Sequence, residues 1–464
     1  MSEQEKINRE LKKHPWTHPS FFRRPDWTRR QFFEIAGAGV TGAFLAERYA
    51  KADAVTTNSG AMTLNTAKNV IFILLAGAPS HTDTFDLKVV DGVTPASFAP
   101  ETMNGVLWPT GLLPNLGNLL SDLAIVRSMQ AHALVHSLAQ TWSQIGRNPA
   151  AALGNIAPNI GSVVAIEKER ERLPGQVLPT FLALNSGAGV GSGYLPASYA
   201  PFKVIPAAAG IANTTNSDGQ TRFTARWNLM HSLDDILRVN SAYGKAMDDY
   251  NDFYSSAHEL MYNPVVNQAF AFTTSDSTRY GNTSTGNACL VAMQVLKAQQ
   301  GTRFIQITSA DGWDMHQNIY AANQLPAKAK ILDTAVSALL SDLKANGLLD
   351  STLVLIAGEF GRTVGKLTAA QGRDHWLQQF ALFAGGGVKG GRTIGATDDA
   401  GADTVDFGWS PQRYVYPEDI EATIYSAMGI DWTTVRHDDP LGRGFEYVPT
   451  TGPFQFQPVN ELFT

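Results

Sequence analysis

Residues 351–376 read STLVLIAGEFGRTVGKLTAAQGRDHW, and the fold is read outward from them. Leu353 to Ala357 are apolar on both faces, the pattern of a parallel strand covered by helices on each side. Gly358 ends the run, and Glu359, Arg362, Arg373, Asp374 and His375 follow, where an open α/β sheet presents its ligand crevice. A second stretch has the same form. Phe304 to Thr308 (FIQIT) empties into Asp311-Gly-Trp-Asp314-Met-His316, two carboxylates and an imidazole in six residues. Carboxylate oxygen and imidazole nitrogen hold hard and borderline divalent ions, so the two strand ends together predict a metal site.

The neighbouring segments repeat the alternation of strand and helix. Asn69 to Ala76 is apolar throughout and leads into Gly77-Ala-Pro-Ser80-His81-Thr-Asp83-Thr-Phe-Asp86. Leu112 to Leu123 has helical spacing, Ala124 to Met129 reads as a short strand, and after His132, His136 and Ser137 a helix is expected over Ala139–Gly146. Further strands are expected over Thr180–Leu184 and Phe380–Ala384, and helices over Ser162–Leu173, Thr285–Gln300, Lys328–Asn346 and from Pro417 to near Gly429. Residues from about 185 to 275 begin with little periodicity and turn helical and aromatic-rich after 226, which marks an insertion. The fold class is therefore α/β, a mostly parallel central sheet sandwiched between helices. Right-handed crossovers place the strand exits after Ala76, Thr308 and Ala357 on one edge.

Composition bounds the function. Residues 1–54 carry ten Lys/Arg against seven Asp/Glu, so the rest of the chain is more acidic than the overall net charge of −6. Neutralising phosphates needs a basic face, so this acidic balance argues against nucleic acid as a partner. Cys289 is the sole cysteine and lies in an apolar helical run, so it is read as a small core residue. Thr28-Arg29-Arg30-Gln-Phe-Phe33, a weakly apolar run from Ile35 to Ala46, and Ala50-Lys-Ala52-Asp-Ala54 form a leader resembling the twin-arginine type. Residues 1–54 are thus expected to be a signal peptide read by the twin-arginine export machinery. The mature protein, from residue 55, is expected in the periplasm or secreted. The apolar run is too short for a span of ~20 residues, so no stable membrane span is expected.

Several motifs carry a family likeness. Gly77-Ala-Pro-Ser-His-Thr-Asp-Thr-Phe-Asp86, Tyr280-Gly, Gly286-Asn-Ala-Cys-Leu, Gly312-Trp-Asp-Met-His316, Leu339-Leu-Ser-Asp342-Leu, Gly358-Glu-Phe-Gly-Arg-Thr363, Gly372-Arg-Asp-His-Trp376, Gly385-Gly-Gly and Asp439-Pro-Leu-Gly-Arg443 resemble the DUF1501 family, in order from about residue 69 to 445. That resemblance implies the alkaline-phosphatase-like superfamily of phosphatases, sulfatases and phosphoglycerate mutases, with a divalent metal site at the strand ends. The superfamily's Asp directly after the first strand is replaced here by Gly77-Ala78, with Asp83 and Asp86 later. Its later Asp-His is replaced by Glu359-Phe360. One or two metal ions are both open on these departures.

The resulting ligand candidates are Asp83, Asp311, Asp314, His316, Glu359, Asp374 and His375, with Asp374 either ligating or orienting its neighbour. Ser137 is either the nucleophile or a helix cap, with Ser80 as a rival nucleophile. Arg362 either grips an anion or pairs with a carboxylate. No Cys-x-Pro-x-Arg segment exists, which argues against a formylglycine sulfatase. Two functions follow: a metal-dependent hydrolase acting on an anionic small-molecule or polymer ester, or a non-catalytic extracytoplasmic binding or assembly protein.

Overall fold

The computed structural model describes residues 55–56, 61–186, 190–238, 244–450 and 454–464. The leader expected over residues 1–54 lies outside them. The described chain forms two compact units, residues 55–56 with 435–445 and the remainder. In the small unit Val55–Thr56 pairs antiparallel with Val435–Arg436. Asp439 caps the loop that follows, accepting from the amides of Leu441 at 3.0 Å and Gly444 at 2.9 Å. This is the structural content of the Asp439-Pro-Leu-Gly-Arg443 motif.

The large unit is built on an eight-stranded sheet. Its strands are β1 (Asn69–Leu74), β2 (Leu123–Gln130), β3 (Phe181–Leu184), β4 (Phe202–Val204), β5 (Phe304–Thr308), β6 (Thr352–Ala357), β7 (Gln378–Ala384) and β8 (Arg392–Ile394). Their spatial order is β8-β2-β7-β6-β1-β5-β3-β4. Strand β7 runs antiparallel to both neighbours, and the other pairs are parallel. The sheet is mostly parallel, as its continuous apolar strands imply.

The helices are α1 (His136–Ile145), α2 (Ile160–Lys168), α3 (Gln220–Arg238), α4 (Lys245–Leu260), α5 (Pro264–Phe270), α6 (Thr274–Arg279), α7 (Ser284–Ala298), α8 (Leu325–Ala345) and α9 (Pro417–Ala427). Ile71 and Ile73 of β1, Ile305 and Ile307 of β5 and Val354 and Ile356 of β6 share one buried cluster with α7 and α8. The alternate residues face the other way, where α2 lies against β3 and β5. A Cβ on Gly161 of α2 would come within 2.6 Å of Phe304 and 2.7 Å of Phe181, so glycine there sets how closely that helix approaches the sheet. Cys289 is fully buried in α7, and burial pushes its thiol up to about 12.

The expected helix over Leu112–Leu123 is not continuous. It resolves into one turn, Pro114–Gly117, and a 3-10 turn, Leu120–Asp122. Asp333 of α8 accepts from the amides of Asn115 at 3.1 Å and Leu116 at 2.8 Å. Gly117 sits against Trp108, where a Cβ would fall 2.9 Å from the indole nitrogen. Tertiary contacts here override an apolar period broken by Pro114 and Gly117.

Candidate metal centre

Leu74 is the register partner of both Ala357 and Thr308, so β6, β1 and β5 end on one row of the sheet. Three loops leave from that row. The Trp313 amide donates to Ala76 O at 2.9 Å and the Gly77 amide to Glu359 Oε1 at 2.9 Å. Gly77 has φ +104°, and a Cβ on it would lie 2.5 Å from the Trp313 nitrogen. Only glycine lets the loop after β1 pass so close to the loop after β5.

Four side chains converge above this row. His136 Nε2 lies 3.2 Å from Asp314 Oδ1, His316 Nε2 lies 3.0 Å from the same oxygen, and His375 Nε2 lies 3.9 Å from it. The Nε2 atoms of His316 and His375 are 3.0 Å apart. All four donor atoms fall within 4.8 Å of one another. Bond lengths of about 2.0–2.2 Å to a tetrahedral ion separate its donors by roughly 3.3–3.5 Å, so the spacing suits a single ion.

The far side of each ring is tied off. His136 Nδ1 faces Glu359 Oε1 at 2.7 Å, His316 Nδ1 faces Asp374 Oδ1 at 2.9 Å, and His375 Nδ1 faces Leu134 O at 2.6 Å. A carboxylate or carbonyl oxygen only accepts, so in each neutral ring the proton sits on Nδ1 and the Nε2 lone pair points inward. His136 Nε2 is buried without a hydrogen bond. Lone pairs gathered about a carboxylate leave a hole in charge that a cation fills, and outer acceptors on every ring are what metal-ligating histidines carry. The residues fit a borderline divalent ion.

The electrostatics differ from donor to donor. The hydrogen bond to Glu359 raises the His136 imidazole above its ordinary range; burial opposes the shift, and the charges of Glu359 and Asp314 add to it. Burial lowers His375, only partly offset by its bond to Leu134 O. Burial also raises the Asp314 carboxyl, but the Arg362 hydrogen bond and charge outweigh this and hold it below the usual carboxylate range. Asp314 is half exposed, so solvent reaches the cluster.

The candidate residues separate into groups. Asp314, His316 and His375 meet in the cluster, and Asp374 and Glu359 stand behind two of its rings. Asp83 stands elsewhere: both of its oxygens accept from Arg373, from Nε at 2.6 Å and Nη2 at 3.1 Å, and Tyr320 donates to it at 2.8 Å. Asp311 is also outside the cluster, its Oδ2 taken by the hydroxyls of Thr285 at 2.7 Å and Ser309 at 2.9 Å. Ser137 is exposed in the first turn of α1, and Ser80 is buried 3.5 Å from the Thr82 hydroxyl.

Arg362 is fully buried. Its Nε donates to Ala78 O, its Nη2 to Gly77 O and Asp314 Oδ1, and its Nη1 to Arg373 O and toward His316 Nε2. All five N–H directions end inside the protein. The guanidinium positions Asp314 and braces the first loop.

His136 is the ligand candidate that sequence reasoning missed. It arrives from the start of α1 instead of a strand end, with Glu359 behind its ring. A signal existed in Glu359 itself, a buried carboxylate beside a predicted metal site that needs a donor.

The family described as "Protein of unknown function (DUF1501)" matches residues 67–448. No curated protein sequence matches the chain. Among solved structures, the lipoteichoic acid synthase LtaP from Listeria monocytogenes is similar at 12% identity and TM-score 0.38, over 86% of this chain and 81% of that one. A protein in the alkaline phosphatase superfamily from Vibrio parahaemolyticus is similar at 11% identity and TM-score 0.39, over 81% and 70%. The phosphonate monoester hydrolase of Agrobacterium radiobacter is similar at 11% identity and TM-score 0.37, over 78% and 74%.

Proposed function

The chain belongs to the DUF1501 family, and on that premise we propose that it is an exported, metal-dependent hydrolase of phosphate or related anionic esters. The observation that carries the reading is the convergence of His136, His316 and His375 Nε2 on Asp314, with each Nδ1 bonded outward. These four residues would hold the ion. A divalent ion in such a site supplies Lewis acidity to an ester oxygen. Glu359, Asp374 and Leu134 O keep the three rings in one tautomer and orientation. Arg362 holds Asp314 in place and balances its charge. Ser137, exposed one residue after His136, is the proposed attacking hydroxyl, with water as its alternative.

The surroundings support a substrate with a body beyond its charged head. Leu134, Val135, Trp376 and Leu377 are exposed, on two segments joined by the Ala131 amide to Leu377 O and by His375 to Leu134 O. Each segment carries one imidazole of the cluster. Among the described residues no helix is long and apolar enough to cross a membrane, and export by the twin-arginine route rests on Arg29-Arg30 and the leader around them.

One observation favours a second reading, a non-catalytic extracytoplasmic binding or assembly protein. Arg362 has no N–H left to stabilise charge developing on an ester. Metal analysis of the purified chain beside His136→Ala, His316→Ala and His375→Ala tests the site. Turnover of p-nitrophenyl phosphate, p-nitrophenyl sulfate and a phenylphosphonate ester then separates the two readings. Sub-stoichiometric metal that ignores all three substitutions overturns the hydrolase reading. Stoichiometric metal without hydrolysis of any probe leaves the binding reading alone.

A further inference from the structure

A buried polar chain runs from the start of α2 to the back of the metal centre, and each link has a fixed direction. Asn159 caps α2, its Oδ1 accepting from the Gly161 amide at 2.8 Å, so its Nδ2 is the atom that donates to Gln306 Oε1 at 3.0 Å. Gln306 Nε2 then donates to Gln144 Oε1 at 2.6 Å. Gln144 Nε2 donates to Gln140 O at 2.8 Å, and Gln140 Nε2 to Glu359 Oε1 at 2.9 Å. The same Glu359 oxygen accepts from His136 Nδ1 at 2.7 Å. At Gln140 the chain passes from the backbone carbonyl to the side-chain amide, so its links carry position along one turn of α1 toward one carboxylate.

Gln306 is the unexpected member. It is fully buried in the middle of β5, opposite Phe72 on one side and Ala183 on the other. An apolar residue would need no partners at that position. A glutamine there must satisfy both ends of its amide or leave a buried polar group unpaired. Both ends are met, by residues on two different helices.

We propose that Gln306 is a positioning residue for the metal centre: it locks α1 against the sheet through Gln144, and so fixes the height at which His136 presents Nε2 to Asp314. The inference rests on the cluster being an ion site. Gln140 and Gln144 lie one and two turns along α1 from His136, on the same side of the helix as its ring. A shift of α1 along the sheet would move all three together. Glu359 is held in turn by the Gly77 amide at 2.9 Å, so the chain couples the α1 donor to the row where the three strands end.

The test is Co²⁺ binding to the chelator-treated chain, read by equilibrium dialysis and by the visible d–d absorption of the bound ion. Gln306→Leu is expected to weaken Co²⁺ binding by a few-fold up to about 10-fold, the lower end of the range for groups bonded directly to a ligand, and to shift the absorption band. Gln144→Leu, at a half-buried position, provides the same reading if Gln306→Leu does not fold. His136→Ala is the reference for complete loss of one donor. Either glutamine variant folded, with wild-type affinity and an unshifted spectrum, overturns the role of Gln306 while leaving the ion site intact. If His136→Ala also leaves binding and spectrum unchanged, the ion site itself is refuted.

Discussion

Asp83 is the residue for which the first loop's sequence and its structure make opposite predictions, and substitution separates them. As a metal ligand it would control the ion and little else. In the structure it is the partner of Arg373, with both groups almost fully buried, and Tyr320 closes the triad. Asp83→Ala would strand a buried guanidinium whose remaining acceptors are Thr363 O, Gly365 O and the Tyr320 hydroxyl. Removing one partner of a buried pair costs about 3–5 kcal/mol. In a domain of this size that lowers the melting temperature by roughly 5 °C. Arg373→Met should cost a similar amount. Because the second substitution removes the stranded charge, the double variant should be less damaged than the two singles combined, by on the order of 2–3 kcal/mol. Calorimetry on the four proteins gives that coupling, and Co²⁺ stoichiometry measured in parallel should remain near wild type. An Asp83→Ala chain that melts normally but binds no Co²⁺ would refute the assignment of Asp83 as a strut.

Three further outcomes are expected. Gly77→Ala should destabilise by on the order of 3 kcal/mol and lower Co²⁺ affinity, because its Cβ would overlap the Trp313 and Asp314 nitrogens at φ +104°; wild-type melting and binding would contradict the close passage of the two loops. Burial raises Glu421 in α9 to about 8, with Arg147 partly opposing the shift. The folded chain therefore keeps a proton that the unfolded chain releases above its ordinary 4.5, and stability should be full below that pH and fall as pH rises toward 8. Glu421→Gln should remove this slope and be the more stable chain at pH 9, by up to roughly 3–5 kcal/mol; parallel stability curves for the two proteins would exclude it. Replacing Arg29 and Arg30 with lysine should leave the precursor in the cytoplasm on cell fractionation, and undiminished export would remove the twin-arginine reading.

The sheet was legible because a buried parallel strand must be apolar on both faces. Asn69–Leu74, Phe304–Thr308 and Thr352–Ala357 stand where their apolar runs end, and their exits share one row. The proposed ion site was legible only in part, and the reason is distance. Asp314 and His316 lie on one short loop after β5, and His375 follows β6, which is separated from β5 in the sheet only by β1, so topology alone brings them near. His136 precedes them by some 180 to 240 residues and comes from a helix, whose height over the sheet is set by Gln144 and Gln306 instead of by strand order. Asp311 has the ligand chemistry and the right loop, yet the hydroxyls of Thr285 and Ser309 claim it. Such competition depends on a partner elsewhere in the chain, which the spacing of residues 311–316 does not contain.

The shared row of strand ends has a consequence for the order of events during folding. The four donor atoms come from α1 and from the loops after β5 and β6, so no short fragment holds a high-affinity set. A chain still lacking its later strands would have only His136, alone on a nascent helix. Capture of the ion would then be among the last steps of maturation, following closure of the sheet around its reversed strand β7, and the occupied protein would be a kinetic marker for molecules that have completed it.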